Sequence, residues 1–508
     1  MAANLPIIEL DSISKAFGSV QANKNISLKI NPGTIHGIVG ENGAGKSTLM
    51  SILYGFYRAD KGNISIEGKK VSISDSQAAI AKGIGMVFQH FKLVENFTVL
   101  ENIILGAEKG NLIAQSLDSA RDTLKRLAYE YELNVDPDSL VENISVGMQQ
   151  RVEILKALYR KAKILILDEP TGVLTPAEAD HLFRILKNLK NEGKTIILIT
   201  HKLKEIMNAT DTVSVMRQGE MTATMQTSET NPEQLAELMV GRKVLLQIEK
   251  KPPNIGQSVL ACDKLNYTDD KGIHRLKDIS FNVIQGEILG IAGVAGNGQS
   301  ELLEILTGIK RANGELNVGS KKVSLDSSKS NPLTRRHLGI SHVPEDRQKL
   351  GLIMDFYAWE NMALGYHDKQ KYRLSRFFIN NERLKLETKK RMEHFDIRPN
   401  DVFLPAKSFS GGNQQKIVLA REIEQSPELL IVGQPTRGVD IGAIEFIHKR
   451  IIELRDAGKA VLLISVELDE ILSLSDRILV MFDGKIMGEK TATKTNEKEL
   501  GLLMAGIG

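Results

Sequence analysis

The sequence predicts an α/β fold in which one unit, a mainly parallel sheet flanked by helices, is used twice. Three observations carry this expectation. A glycine-rich loop occurs at Gly40-Glu41-Asn42-Gly43-Ala44-Gly45-Lys46-Ser47 and again at Gly293-Val294-Ala295-Gly296-Asn297-Gly298-Gln299-Ser300. Apolar runs of strand length alternate with stretches of helical spacing, as buried parallel strands require. Later landmarks then repeat at a constant distance. Lys46 and Gln299 are 299 − 46 = 253 apart, while Ser145 and Ser410, Glu169 and Gln434, and His201 and Val466 are each 265 apart. The difference, 265 − 253 = 12, puts about twelve extra residues in the middle of the second copy.

Taken in order, residues 34–39 form a short apolar strand running into the first loop. Residues 46–57 follow with helical spacing at Leu49, Ile52, Leu53 and Phe56. Residues from about 90 to 143 are rich in helical patterns without a sheet-like run, and read as a helical insertion. Residues 164–167 and 195–200 are continuous apolar runs, read as buried parallel strands. The stretch Glu249-Lys250-Lys251-Pro252-Pro253-Asn254 mixes charge, proline and turn residues, which marks a linker. The expected boundaries are one domain over residues 5–243, a linker over 244–257 and a second domain over 258–508.

Bulk composition narrows the function classes. The 508 residues carry 66 basic and 63 acidic side chains, a net charge of +3. That balance lacks the basic footprint of a nucleic-acid binder. The single cysteine, Cys262, permits no intrachain disulfide and fits a reducing compartment. The start Met1-Ala2-Ala3-Asn4-Leu5-Pro6 does not read as a signal peptide. No apolar run approaches the ~18 residues needed to cross a bilayer, so a membrane role would have to come through partners.

The chemistry of the first half points to a nucleoside triphosphate. A GxxxxGKS loop after a strand and before a helix aims backbone N–H groups and a helix N-terminus at phosphates. Lys46 would reach the β- and γ-phosphates and Ser47 would ligate Mg²⁺. The expected ATP-binding set is Gly40, Glu41, Asn42, Gly43, Ala44, Gly45, Lys46, Ser47 and Thr48, with Phe17 either stacking on adenine or packing in the core. A buried run ends in Asp168-Glu169-Pro170, and two carboxylates at a core edge need a reason. Asp168 suits the Mg²⁺ shell, and Glu169 suits polarising the attacking water. His201, directly after a strand, stands where a γ-phosphate contact is expected, although a lone histidine at a strand end is often a cap or surface group. Gln89 is placed to see both Mg²⁺ and water, although on its own it is a plain loop glutamine.

Together these motifs resemble the ATP-binding cassette (ABC) family over nearly the whole chain. The resemblance implies two tandem P-loop NTPase domains, each a mainly parallel sheet core with an antiparallel β subdomain and a helical subdomain. It also implies an ATPase whose L-S-G-G-Q motif completes the opposite half's site. The second half carries that motif nearly intact as Phe409-Ser410-Gly411-Gly412-Asn413-Gln414-Gln415. The first reads Ile144-Ser145-Val146-Gly147-Met148-Gln149-Gln150, where β-branched Val146 restricts the close approach that glycine permits.

The second half departs further. Gln299 replaces the lysine, Gly433-Gln434 the acidic pair, Val466 the histidine and Glu345 the glutamine. Gly433 removes the Mg²⁺ carboxylate at that position, and Gln434 cannot act as a base. The loop after the acidic pair divides the same way: Gly438-Val439-Asp440 in the second half against Val173-Leu174-Thr175 in the first. If the halves cross, one site joins Lys46, Asp168, Glu169, His201 and Gln89 to Ser410, Gly411, Gly412, Asn413 and Asp440, and is complete. The other then collects every defect.

A fused pair without a membrane span looks like the ATPase of a bacterial sugar or nucleoside importer. It would work at the cytoplasmic face of the cell membrane with two integral-membrane permease subunits and, indirectly, a substrate-binding lipoprotein. The stretch from Gln434 to His448 looks like the nucleoside branch. A ribose or galactoside cargo, or a soluble two-cassette ATPase, are the alternatives.

Overall fold

The computed structural model describes residues 5–507 apart from 19, 89–90, 108–112, 173, 175, 244–249, 295, 327–329 and 376–377. The chain divides into two compact units, Met1–Val244 and Leu245–Gly508.

In the first unit the strand Ile35–Gly40 lies at the middle of a six-stranded sheet, parallel to Thr195–Ile199 on one side and Thr212–Arg217 on the other. Ile164–Asp168 and Ile84–Val87 extend the sheet in parallel, and Glu220–Gln226 closes the other edge antiparallel. Every residue of Ile35–Gly40, Ile164–Asp168 and Thr195–Ile199 is buried, which is why, apart from His36, Asp168 and Thr195, they read as continuous apolar runs rather than alternating ones. A four-stranded antiparallel sheet, in the spatial order Val20–Ile30, Ile8–Phe17, Lys61–Ile66, Lys69–Val71, shares a core with the helix Lys46–Leu53 through Ile8, Ile26, Leu49 and Leu53. The predicted helical insertion holds Val99–Ile104 and Ile113–Glu130.

The helix after the loop stops at Leu53, four residues short of the spacing-based reading. Gly55 takes φ +86°, and a Cβ there would collide with the backbone of Asp75. Phe56 therefore leaves the helix face that its spacing suggested.

The second unit repeats the plan. Its six-stranded sheet runs Ile340–Val343, Leu429–Gly433, Ala460–Ser465, Ile288–Ala292, Arg477–Phe482, Lys485–Thr491, with only the last strand antiparallel. Its antiparallel sheet runs His274–Ile284, Ser258–Thr268, Asn313–Val318, Lys321–Val323. Much of the extra length goes into helical turns at Arg347–Gly351 and Gln370–Tyr372. The later part of the expected linker docks on this unit. Lys250 Nζ donates to the carbonyls of Leu474 (2.9 Å) and Ser475 (2.6 Å), and Arg455 donates to the carbonyl of Lys251 (2.7 Å).

Candidate functional site

The loop after Ile35–Gly40 winds into the helix Lys46–Leu53 with Gly43 at φ +83° and Gly45 at φ +96°. Gly45 is required twice over: its φ is left-handed, and a Cβ there would run into the Ala22 carbonyl and the Asn23 amide. Lys46 is buried beneath the loop, its ammonium donating to the carbonyls of Gly40 (2.7 Å) and Glu41 (3.0 Å). Burial lowers its pKa, and the carboxylates of Glu169, Asp168 and Glu41 oppose that fall.

Sheet register brings the carboxylates to the loop. Asp168 lies opposite Ile199 in the parallel ladder, so Glu169 and His201 fall just beyond two neighbouring strand ends. Asp168 is buried, which raises its pKa, while a hydrogen bond with Ser47 lowers it. The Glu169 N–H donates to the Ile199 carbonyl at 2.8 Å, and its backbone sits at φ +47°, unusual for a side-chain-bearing residue. That kink turns the carboxylate to His201, whose Nδ1 lies 2.9 Å from Glu169 Oε1. Burial pushes the Glu169 carboxyl up. The hydrogen bond and charge of His201, with Lys46 and Lys202, outweigh it and hold the carboxyl below its usual range.

The structure thus gathers Lys46, Ser47, Asp168, Glu169 and His201 at one end of the sheet. Phe17 ends its strand half-exposed rather than in the core, edge-on to Tyr57 with ring centroids 5.1 Å apart. Gln89, Val173 and Thr175 lie outside the described residues.

Two supports went unread in the sequence. Fully buried Asn23 donates from Nδ2 to the Gly45 carbonyl at 3.0 Å, bracing the loop from the neighbouring sheet. Buried Glu205 accepts from the Thr171 hydroxyl and so ties down the turn after the acidic pair. The repeat held a signal for the first: at 276 − 253 = 23, the partner of Asn23 is Leu276.

The second unit keeps the loop but not its chemistry. Gly296 and Gly298 take φ +91° and +101°. Gln299 is buried, and its Nε2 finds no hydrogen-bond partner among the described residues. Gln434 copies the kink of Glu169 at φ +48°, but its Oε1 accepts from the Val466 N–H at 3.3 Å, a static backbone contact. Where Ser47 meets Asp168, Ser300 Oγ instead donates to Glu345 Oε2 at 2.6 Å.

The same unit holds a well-formed serine-glycine helix start. Ser410 caps Gly411–Ile423, and Asn413 Nδ2 donates to its Oγ at 2.9 Å. A Cβ on Gly411 would meet an Arg347 guanidinium nitrogen at 2.6 Å, and one on Gly412 would meet Asp440 Oδ2 at 2.8 Å. Asp440 caps the next helix, accepting from the Ala443 N–H at 2.7 Å. In the first unit Ser145 caps Val146–Tyr159, but Val146 and Met148 stand half-exposed beside it.

Sequence comparison agrees with this geometry. The ABC transporter family model matches residues 23–172 and again 276–437. The chain belongs to the ABC transporter family. It is 48% identical over 503 residues to the guanosine import ATP-binding protein NupO of Bacillus subtilis, covering 98% of this chain and 97% of that protein. It is 46% identical over 506 residues to the nucleoside import ATP-binding protein NupA of Lactococcus lactis, covering 99% of each. The ribose import ATP-binding protein RbsA of Clostridium tetani is more distant, at 37% over 498 residues, 97% of this chain and 96% of that protein. The family and fold expected from the motifs are therefore borne out.

The first ABC unit also suits a hard divalent cation. Ser47 and Asp168 supply a hydroxyl and a carboxylate at the same end of the sheet, the oxygen ligands that Mg²⁺ prefers. Among the described residues no cluster of three or more His, Cys, Asp and Glu side chains is arranged to hold a metal. A cation here would draw its remaining ligands from phosphate oxygens and water.

Proposed function

We propose that this ABC chain is the ATP-hydrolysing subunit of a bacterial importer for nucleosides, with one hydrolytic site assembled from both units. The first supplies Lys46, Ser47, Asp168, Glu169, His201 and Gln89; the second supplies Ser410, Gly411, Gly412, Asn413 and Asp440. The carrying observation is the contrast at the two strand ends: Glu169 paired to His201 in one unit, Gln434 held by the Val466 backbone in the other. The lysine, acidic pair and histidine read as driving turnover sit in the first unit, and the better serine-glycine helix start sits in the second.

Each group has a task. Lys46 exchanges its two loop carbonyls for phosphate oxygens. Ser47 and Asp168 would hold Mg²⁺, which neutralises phosphate charge. Glu169, kept ionised by its basic neighbours, orients and deprotonates the attacking water, and His201 steadies it. The hydroxyl of Ser410 and the N–H groups at its helix start face the γ-phosphate. Phosphoryl transfer is mostly positioning and charge stabilisation, which suits such a set.

Among the described residues no helix is long and apolar enough to cross a membrane; the import path would belong to two integral-membrane permease subunits, a reading supported by the import ATP-binding relatives above. We place the chain on the cytoplasmic face of the membrane, fed from outside by a substrate-binding lipoprotein. The nucleoside cargo is supported by the two relatives above and by the Gln434 to His448 stretch.

Two experiments test this. The native cysteine, Cys262, is buried, so the double variant Asn42→Cys/Ser410→Cys presents one reactive pair. In a Glu169→Gln background with Mg²⁺ and ATP, it should form an internal disulfide; linkage only between molecules would defeat the within-chain site. Deleting the gene should abolish guanosine uptake and spare ribose uptake; the opposite result would reassign the cargo.

A further inference from the structure

In the second unit one side chain joins the Ser410 helix start to the turn before Asp440. After the strand Ile340–Val343 the chain makes a tight helical turn at Arg347–Gly351. Asp346 caps that turn, its carboxylate accepting from the Gln348 and Lys349 N–H groups at 3.0 Å each. The Arg347 guanidinium donates from Nη1 to the Arg437 carbonyl at 2.7 Å and from Nη2 to the Gly438 carbonyl at 3.3 Å. It also lies against the helix start: a Cβ on Gly411 would fall 2.6 Å from Nη2 and 2.9 Å from the Gly438 carbonyl oxygen. The bare backbone at 411 thus makes room for the guanidinium. Beside it, Gln348 Nε2 donates to Gln414 Oε1 at 3.1 Å, and Gln414 Nε2 donates in turn to the carbonyls of Ala406 and Phe409 at 3.1 Å each.

The first unit is built differently at this place. Val87 and Val343 end matching strands, 343 − 87 = 256 apart. Asn102 and Asn361 each exchange two hydrogen bonds with the backbone of the residue eight before, Val94 or Ile353, and are 361 − 102 = 259 apart. The second unit therefore has 259 − 256 = 3 extra residues between these landmarks, where the turn Arg347–Gly351 stands. No arginine occurs between Val87 and Val94, and Val146 stands where Gly411 leaves room. Stability does not account for the arginine. Partial burial lowers its pKa, a fall that Asp346 opposes and the like charge of Arg437 deepens, and its Nε has no hydrogen-bond partner among the described residues. A desolvated, incompletely paired charge is a poor stabiliser, which leaves the register of the two segments as its contribution.

We propose that Arg347 is a positioning residue for ATP hydrolysis: it fixes the Ser410 helix start to the turn before Asp440, so that both reach the triphosphate on the first unit's loop as one piece. This rests on the composite site of the proposed function. Arg347 touches no reacting atom; it sets where the Ser410 hydroxyl and the N–H groups of Gly411 and Gly412 stand, and donors fixed in advance are what a phosphoryl transition state rewards. The role calls for arginine, because a lysine lacks the planar fork that meets two carbonyls at once.

The test compares Arg347→Ala and Arg347→Lys with the parent full chain. In Arg347→Ala kcat should fall about 10–100-fold with KM for ATP nearly unchanged, the mark of a contact that matters in the transition state and not in binding. Arg347→Lys, which can keep one carbonyl bond, should fall between the two, and it decides by the same split if Arg347→Ala does not fold. The second readout is the Asn42→Cys/Ser410→Cys pair in the Glu169→Gln background with Mg²⁺ and ATP. Adding Arg347→Ala should slow its internal disulfide about tenfold, because the Ser410 end is no longer held in place. A kcat equal to the parent's, a KM that rises as kcat falls, or a disulfide formed at the same rate with and without Arg347 overturns the assignment alone. A cysteine pair that forms no internal disulfide even with Arg347 in place defeats the composite site, and the assignment falls with it.

Discussion

The two cradles share a backbone and differ in what the backbone holds. Both loops place glycines at left-handed φ before a helix, and both strand ends kink at a residue with φ near +47°. In the first unit that kink aims a carboxylate at His201; in the second it seats a carboxamide on a backbone N–H. The fold therefore maintains the same backbone geometry at this strand end whether an acid or an amide occupies it. Function at these positions follows from side-chain charge, and shape alone does not reveal it.

The largest break in that contrast comes from making the first strand end like the second. Glu169→Gln should lower steady-state ATPase activity by about 10²–10⁴-fold, the usual contribution of a positioned general base, while nucleotide binding persists. Retained turnover would remove Glu169 from the mechanism. A pH profile sharpens the same point. Glu169 is held below its usual range, so the ionised base is lost only as pH falls through that depressed value. His201→Ala removes the largest depressing partner, leaving Lys46 and Lys202 against burial, so the carboxyl rises. The acidic limb of kcat should move to higher pH, on top of any loss of rate. An unmoved limb would show that His201 does not depress the Glu169 carboxyl.

Most of this site was legible in the sequence because each motif is short and ends a strand. The Gly40–Ser47 loop, the Asp168-Glu169 pair and His201 carry their geometry locally, and parallel register does the rest. Contacts made across the fold stayed hidden. That the Glu345 stem fills the room a side chain at Gly433 would need depends on two strand ends lying side by side, which spacing along the chain does not state. Asn23 was hidden for the same reason, since its partner loop lies 22 residues on. The helix end at Leu53 was missed because apolar spacing continued through a glycine whose left-handed backbone had already turned the chain.

A smaller effect separates the two serine-glycine helix starts. Gly412→Ala would press its methyl on Asp440 Oδ2 at 2.8 Å and Ala443 Cβ at 3.1 Å. Asp440 is pinned as a helix cap and cannot yield without releasing the Ala443 N–H. The helix start must shift, and sub-ångström misplacement of phosphate-facing donors should cost about 10–100-fold in ATPase rate. Gly147→Ala meets Glu178 Oε1 at 2.7 Å, the far end of a longer side chain rather than a carboxylate fixed as the cap of the next helix. Its rate should change less than about twofold, within the range where a displaced rotamer is the whole cost. Equal losses in both variants would mean that both helix starts serve hydrolysis, contrary to a single working site.

The smallest effect exchanges the braces beneath the loops. Asn23→Leu gives the first unit the residue found at 276 in the second. It removes one hydrogen bond to the Gly45 carbonyl, a net contribution of about 1 kcal/mol. That carbonyl keeps its helical partner, the Leu49 N–H at 2.9 Å, so it is not orphaned. Asn23 Oδ1 is buried without a hydrogen-bond partner among the described residues, so the apolar replacement also relieves a desolvated oxygen. The two terms oppose, and the melting temperature should move by no more than a few degrees. What changes is the fixity of the loop: KM for ATP should rise about fivefold, the equivalent of that lost bond, with kcat nearly unchanged. A fall in kcat matching the rise in KM would instead make Asn23 part of transition-state positioning, and Leu276 a further difference between the two cradles.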